Sequence, residues 1–383
     1  MADFQAPQER SVTTILSSAV TPGQSRGQRD HARALIRGGR GATFQPTAKY
    51  EKYQRVSELE ALAEDAPSLR TNVTVERAKS ILTENDSPDL SFDQSVNPYR
   101  GCEHGCVYCF ARPSHANMGL SPGLDFETQL FAKPEAAKLL ERELARPGYE
   151  AKTIAIGTNT DPYQPIERKY LITRQILEVC DRTSHPIAIV TKSALVTRDI
   201  DILASLAERG LVKVALSVTT LDPMLARAME PRTSQPEKRI QALELLEAAG
   251  IPTSVLVAPI IPALNEHEIE AILGRVSLTG SKEAGYVLLR LPWEVKDLFE
   301  QWLEKHYPDR AKKVMSIMKS MRGGSAYDSE FFRRQTGTGP HAWTVGRRFE
   351  IAARKFGFND KKTVLRTDLF EAPVPEGGQM RLI

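Results

Sequence analysis

Between Ser91 and Leu291 the chain alternates two kinds of segment with a regularity few folds accommodate. Apolar, β-branched runs recur at Ser91–Val96, Thr153–Gly157, Ile187–Thr191, Val212–Val218, Thr253–Pro259 and Gly285–Leu291, and each reads as a strand. Helix-period segments separate them at Pro134–Ala145, Ile172–Arg182, Arg198–Arg209, Pro236–Ala249 and Glu266–Val276. Pro134 sits where the first helical turn tolerates proline, and Gly210 and Gly250 follow two helices as left-handed caps do. Strands that alternate with helices and carry nearly continuous apolar runs belong in a parallel sheet. Right-handed crossovers curl such a sheet. With six strands rather than eight, a partial (β/α)6 barrel is the first expectation and a doubly wound sheet the second.

The flanks read differently. Residues 1–45 form a basic arm expected to be flexible, and 46–90 an N-terminal extension with short helical patterns at Val56–Glu64 and Val75–Leu82. The barrel is expected to span 91–292. The remainder, 293–383, reads as a helical C-terminal extension, with helices at Glu294–Lys305, Asp309–Met321 and Val345–Phe356. Hydrophobic residues make up 41% of the chain, enough for a large core. No apolar run approaches the ~18–20 residues a membrane helix needs, so no membrane partner is expected. The first residues lack a signal-peptide core, and a cytoplasmic location is expected. The net charge of +3 is too mild to announce a polyanionic partner. Locally, Arg26, Arg29, Arg33, Arg37 and Arg40 stand against Asp30 alone. That arm reads either as a solvated tail or as a grip on phosphates.

Three of the four cysteines fall within NPYRGCEHGCVYCFARPSH, at Cys102, Cys106 and Cys109. A disulfide framework is a poor account of an odd count in a reducing compartment. Zinc needs a fourth ligand, which His104 or His115 offers. A redox pair leaves Cys102 unexplained. Three thiolates also suit a 4Fe-4S cluster with one iron left open. The fourth cysteine, Cys180, lies in a helical pattern and reads as a small buried hydrophobe.

The C-x3-C-x2-C spacing, with Tyr108 before the last cysteine, resembles the signature of the radical S-adenosylmethionine superfamily. That resemblance implies a partial barrel with the cluster loop after strand one. It also implies a 4Fe-4S cluster on Cys102, Cys106 and Cys109, and S-adenosylmethionine as second cofactor, cleaved reductively to a 5′-deoxyadenosyl radical. An electron donor such as flavodoxin or ferredoxin is implied as well. Carried onto this chain, the cofactor-binding candidates are Tyr108, Gly157, Thr158, Asn159 and Asp161 near the first two strand ends. Ser217 and Arg232 are candidates for the cofactor's ribose and carboxylate. Ala258–Pro262, at the end of strand five, suits stacking on adenine, and Arg290 reads as an anion clamp that Glu294 could instead neutralise. The long Ala111–Lys133 connection is expected to help form the substrate face. The stretches GTNTDPYQPIE and MEPRTSQPEKR further resemble the branch containing spore photoproduct lyase and DNA repair photolyase-like proteins. A DNA or RNA substrate follows from that branch, with a protein or small molecule as the alternative. The branch's hydrogen-returning cysteine after strand two has no counterpart, because Gly157–Pro165 contains none. That departure puts thymine-dimer reversal in question. A non-catalytic zinc or cluster protein that binds nucleic acid remains the second reading.

Overall fold

The structure, a computed structural model, describes residues 40–42, 44–46, 50 and 70–374. The helical pattern at Val56–Glu64 and nearly all of the basic arm lie outside these residues. Six strands run parallel in one sheet: β1 (Gln94–Val96), β2 (Ile154–Ile156), β3 (Ile187–Thr191), β4 (Val212–Ser217), β5 (Thr253–Ile260) and β6 (Glu283–Leu288). They lie side by side in sequence order, and Leu82–Glu84 adds an antiparallel edge beside β1. Helices α1 (Ala136–Leu144), α2 (Ile172–Arg182), α3 (Ile200–Glu208), α4 (Pro236–Ala248) and α5 (Ile269–Ser277) make the crossovers. The partial (β/α)6 barrel is therefore the architecture, and the doubly wound alternative is not needed.

Strand periodicity explains how one sheet supplies both a core and a cavity. In β3 and β4 the alternate residues Ile187, Ile189, Val212, Val214 and Leu216 are fully buried, the face expected to pack under the crossover helices. Their neighbours Val190 and Ser217, with Leu256 and Ala258 of β5, face the lumen instead. Period-two alternation thus separates packing from site.

Two additions close the ends. Helices α6 (Glu294–His306), α7 (Pro308–Ser320) and α8 (Gly339–Lys355) follow the last strand. In α8, Phe349 packs on Tyr286 of β6 at 4.8 Å between ring centroids. Arg348 of α8 makes a bidentate pair with Glu270 of α5. The edge of β6 is met by Gln335 O, which accepts the Leu288 amide, and by the Asn359 side chain, which accepts from and donates to Ala284, so less of it is left as a template for strand pairing. After α8 the chain crosses the opposite end of the barrel. The Asn359 amide donates to Lys282 O, that of Arg366 to Gly210 O and that of Glu371 to Thr183 O. Each acceptor lies one to four residues before a strand, so this tail covers the N-terminal ends of those strands. No helix among the described residues is long and apolar enough to cross a membrane.

The helical expectation for Val75–Leu82 is corrected. Asn72–Val75 is a strand paired with Gln129–Ala132, and Leu82–Glu84 pairs with β1. Between them the Ile81 and Leu82 amides donate to the buried Glu143 carboxylate at 3.1 and 2.9 Å. Tertiary partners override a weak local pattern here.

Candidate functional site

The cysteine loop begins where β1 and the short strand Tyr99–Arg100 end. Gly105 stands between Cys102 and Cys106 at φ +68°, and a Cβ there would lie 2.7 Å from the Glu127 carboxylate. Only glycine takes that backbone without strain and leaves that acid its place. Glu127, wholly buried, is the hub of the loop's support. It pairs with Arg112 at 2.5 Å and accepts the Gly41 and Ala42 amides at 3.0 and 2.7 Å. Arg112 in turn donates to the carbonyls of Gly105, Cys106, Pro122 and Gly123. The Ala111–Lys133 connection is thus a packed scaffold behind the cysteines rather than a free lid, and its opening residue Ala111 is its contribution to the cavity. Arg40, read from sequence as part of the arm, donates to Glu127 O and Thr71. These bonds tie it to the scaffold.

Above the loop lies a cavity of about 240 Å3. Cys102, Cys106 and Cys109 line it together with Tyr108, Gly157, Thr158, Asn159, Asp161 and Ser217. Of the residues expected from sequence, Arg232 is the exception. It pairs with Glu103 at 3.1 Å, and its amide donates to His104 O. Its guanidinium braces the loop from outside. Gly157, at φ +99°, passes so close to β3 that a Cβ would meet Val190 O at 2.2 Å. The exit of β2 grips the loop: Thr160 Oγ1 and Gln164 Nε2 both donate to Gly101 O. Gln164 Oε1 accepts the Glu103 amide at 2.9 Å.

Asp161 is a saturated acceptor. It receives the Tyr163 amide, the Thr191 hydroxyl, the Lys192 amide and, at 3.3 Å, His104 Nδ1. Burial alone would raise this carboxyl, but His104 and those donors hold it below its usual value. It ties the cysteine loop to the β3 exit, a role its position in sequence did not disclose.

Beneath Tyr108 lies a charged network the sequence did not reveal. Glu230, fully buried, pairs with Arg239 and with Lys192 at 3.3 Å and accepts from the hydroxyls of Tyr108 and Thr219. Burial raises its carboxyl, yet Arg239 and Lys192 override burial and hold it well below the carboxylate range. Lys192 also sits 5.7 Å from the Tyr108 ring centroid. Arg239 lies on the helix face turned toward β4, where it donates to Ser217 O at 2.9 Å. An arginine in the first turn of a helix carries no sequence signal for burial.

Burial also raises all three loop thiols, and Cys102 is raised further by Asp161 and by the neighbouring sulfurs. Crowded, buried thiols are poor nucleophiles but become good ligands once a metal takes their protons. Among the described residues no set of three or more His, Cys, Asp or Glu donors is close enough to hold a single metal ion. The three thiols line one cavity. His115 lies outside the cavity, bonded to Gln129 O at 2.9 Å and edge-on to Phe126, which removes it as a fourth zinc ligand. Cys180 is buried in α2, its thiol pushed up to about 12, mainly by burial.

A family model described as the Radical SAM superfamily matches residues 96–276. The uncharacterized protein Rv2578c of Mycobacterium tuberculosis is 35% identical over 232 residues, covering 60% of this chain and 68% of that protein. The uncharacterized protein MJ0683 of Methanocaldococcus jannaschii is 29% identical over 217 residues, 56% of this chain and 76% of that one. Spore photoproduct lyase complexed with dinucleoside spore photoproduct shares the fold, with a TM-score of 0.54 at 17% identity over 75% of this chain and 80% of that one.

Proposed function

This chain belongs to the radical S-adenosylmethionine superfamily, whose cofactors are a 4Fe-4S cluster and S-adenosylmethionine, and on that premise we propose that it uses them in radical chemistry on a nucleic acid. One observation carries the reading: the three buried thiols and the C-terminal ends of the parallel strands line a single cavity, the place where such sheets put their chemistry. Cys102, Cys106 and Cys109 would hold the cluster. When bound, it supplies the electron that cleaves S-adenosylmethionine to methionine and a 5′-deoxyadenosyl radical.

The chain's own residues do the rest. Gly157 lets the β2 exit pack against β3, and Thr158, Asn159 and Ser217 present polar groups to the cavity. Tyr108 is held in place by Glu230, and Lys192 sets a fixed positive charge beside the loop. Leu256, Ala258 and Pro259 give an apolar wall that suits the adenine and excludes water from the reacting centre. Asp161 positions His104 and Lys192 rather than receiving the cofactor's ammonium. Asp161→Ala should therefore lower S-adenosylmethionine affinity by roughly tenfold, the low end of what losing a supporting partner of a site costs, while iron content falls far less. Equilibrium binding and iron analysis on the same preparation check this, and unchanged affinity would leave Asp161 a mere turn residue.

The substrate assignment draws on the spore photoproduct lyase fold and on the arginine-rich arm, most of which lies outside the described residues. Because Gly41 and Ala42 anchor Glu127, a truncation that probes the arm must stop before them. Removing residues 1–36 takes away Arg26, Arg29 and Arg33. Each lost phosphate contact should reduce the slope of log K against log salt by about 0.7–0.9, read by fluorescence anisotropy. Equal slopes would take the arm out of the account. The function itself is tested with anaerobically reconstituted protein, dithionite and S-adenosylmethionine, assayed for 5′-deoxyadenosine with and without DNA or RNA. Stimulation by a nucleic acid supports the reading. Turnover indifferent to both moves the substrate to a protein or small molecule.

A further inference from the structure

Arg290 leaves the end of β6 and lines the mouth of the cysteine cavity. Its guanidinium lies 5.1 Å from the ring centroid of Phe110 and 6.0 Å from that of Tyr327. Its one hydrogen bond among the described residues is long, 3.4 Å to the Tyr327 hydroxyl, and its Nε is buried with no partner. Behind it Arg322, 3% exposed, donates to the carbonyls of Leu289, Arg333 and Arg334. Its Nε is likewise unpartnered. Neither arginine forms an ion pair with a carboxylate among the described residues. Asp328, whose charge reaches Arg322, is itself engaged by Arg333 at 3.4 Å.

Two neighbouring cations with no carboxylate paired to either are unfavourable in a partly buried site, and a bound anion relieves them. Phe110 follows Cys109 directly and is 49% exposed. Ring surface therefore remains at the mouth for a second planar group. An anion clamp beside a stacking ring matches a phosphate joined to a base.

Resting on the nucleic-acid reading above, we infer that Arg290 takes a backbone phosphate of the substrate and that Phe110 stacks on the adjoining unpaired base, so that the strand is presented to the cavity one extrahelical nucleotide at a time. A base inside a duplex is already stacked on both faces and cannot reach Phe110. The C-terminal extension serves this clamp directly. Gln335 O accepts the Leu288 amide at 2.8 Å, and Arg322 holds Leu289, so the segment carrying Tyr327 is fixed to the strand that carries Arg290.

The test measures binding of a short fluorescein-labelled DNA single strand, the matching duplex and S-adenosylmethionine. The proteins are reconstituted wild type, Arg290→Ala, Arg290→Lys, Phe110→Ala and Phe110→Leu. Arg366→Ala serves as control, because Arg366 lies at the other end of the barrel, beside Gly210. Arg290→Ala and Phe110→Ala should each weaken the single strand by about tenfold, with a smaller loss for the duplex and for S-adenosylmethionine. The conservative variants, which preserve packing, should fall between. An equal or larger loss of S-adenosylmethionine affinity would place Arg290 on the cofactor and overturn the clamp. Wild-type binding of the strand with equal binding by the variants would overturn the clamp and leave the nucleic-acid reading standing. If wild type binds neither strand nor duplex, the nucleic-acid reading itself falls and the clamp with it.

Discussion

Replacing any one of Cys102, Cys106 or Cys109 by alanine should abolish the four-iron content of the anaerobically reconstituted protein, read by iron and sulfide analysis and by the brown absorbance. All three thiols line one cavity, and no carboxylate or histidine among the described residues stands ready as a substitute. His104 is held by Asp161 at 3.3 Å, and Asp161 has its oxygens filled. Two remaining thiolates do not hold a cubane. Cys180→Ala supplies the contrast. Cys180 is 0% exposed in α2, so its loss should leave iron unchanged and cost only a modest cavity penalty. Loss of iron from Cys180→Ala would mean a fourth protein ligand and no open iron.

Arg239→Met should destabilise the protein by about 3–5 kcal/mol, the cost of stranding a buried carboxylate. Glu230 is 1% exposed and keeps only Lys192 as a cation once Arg239 is gone. The Ser217 and Ser234 carbonyls lose their donor as well. The pH dependence gives a second reading. A carboxyl held low in the folded state contributes stability that is complete above its unfolded value of 4.5 and declines as the pH falls toward the folded value. The variant should lose part of that acid-side slope. Urea unfolding at neutral and acidic pH measures both effects. Because Glu230 accepts from the Tyr108 hydroxyl, iron loading should fall too. Double replacement with Glu230→Gln should recover part of the stability, which a role in packing alone would not allow.

Much of this was legible in the sequence because it depends on periodicity and spacing. The strand at Ile187–Thr191 and the helix at Ile172–Arg182 lie where β-branched alternation and helical period put them, and the three cysteines declare themselves by their spacing. What stayed hidden depends on partners distant in sequence. Arg232 and Arg239 both follow MEP in one polar stretch. Only the fold sends Arg239 inward to Glu230 and Arg232 outward to Glu103. Asp161 sits at a strand end, as a cofactor ligand would, but its four donors come from His104, Tyr163, Thr191 and Lys192. The Ala111–Lys133 connection reads as a loop by composition, yet the Arg112–Glu127 pair turns it into a support. Such pairings join residues that no local window contains.

The central claim is that the three thiols leave one iron open and that S-adenosylmethionine binds there. Electron paramagnetic resonance of the dithionite-reduced protein tests it most directly, recorded with and without S-adenosylmethionine. The account predicts a reduced-cluster signal whose g-values shift on adding S-adenosylmethionine, in wild type and Cys180→Ala alike. A cluster signal that S-adenosylmethionine leaves unchanged would contradict it.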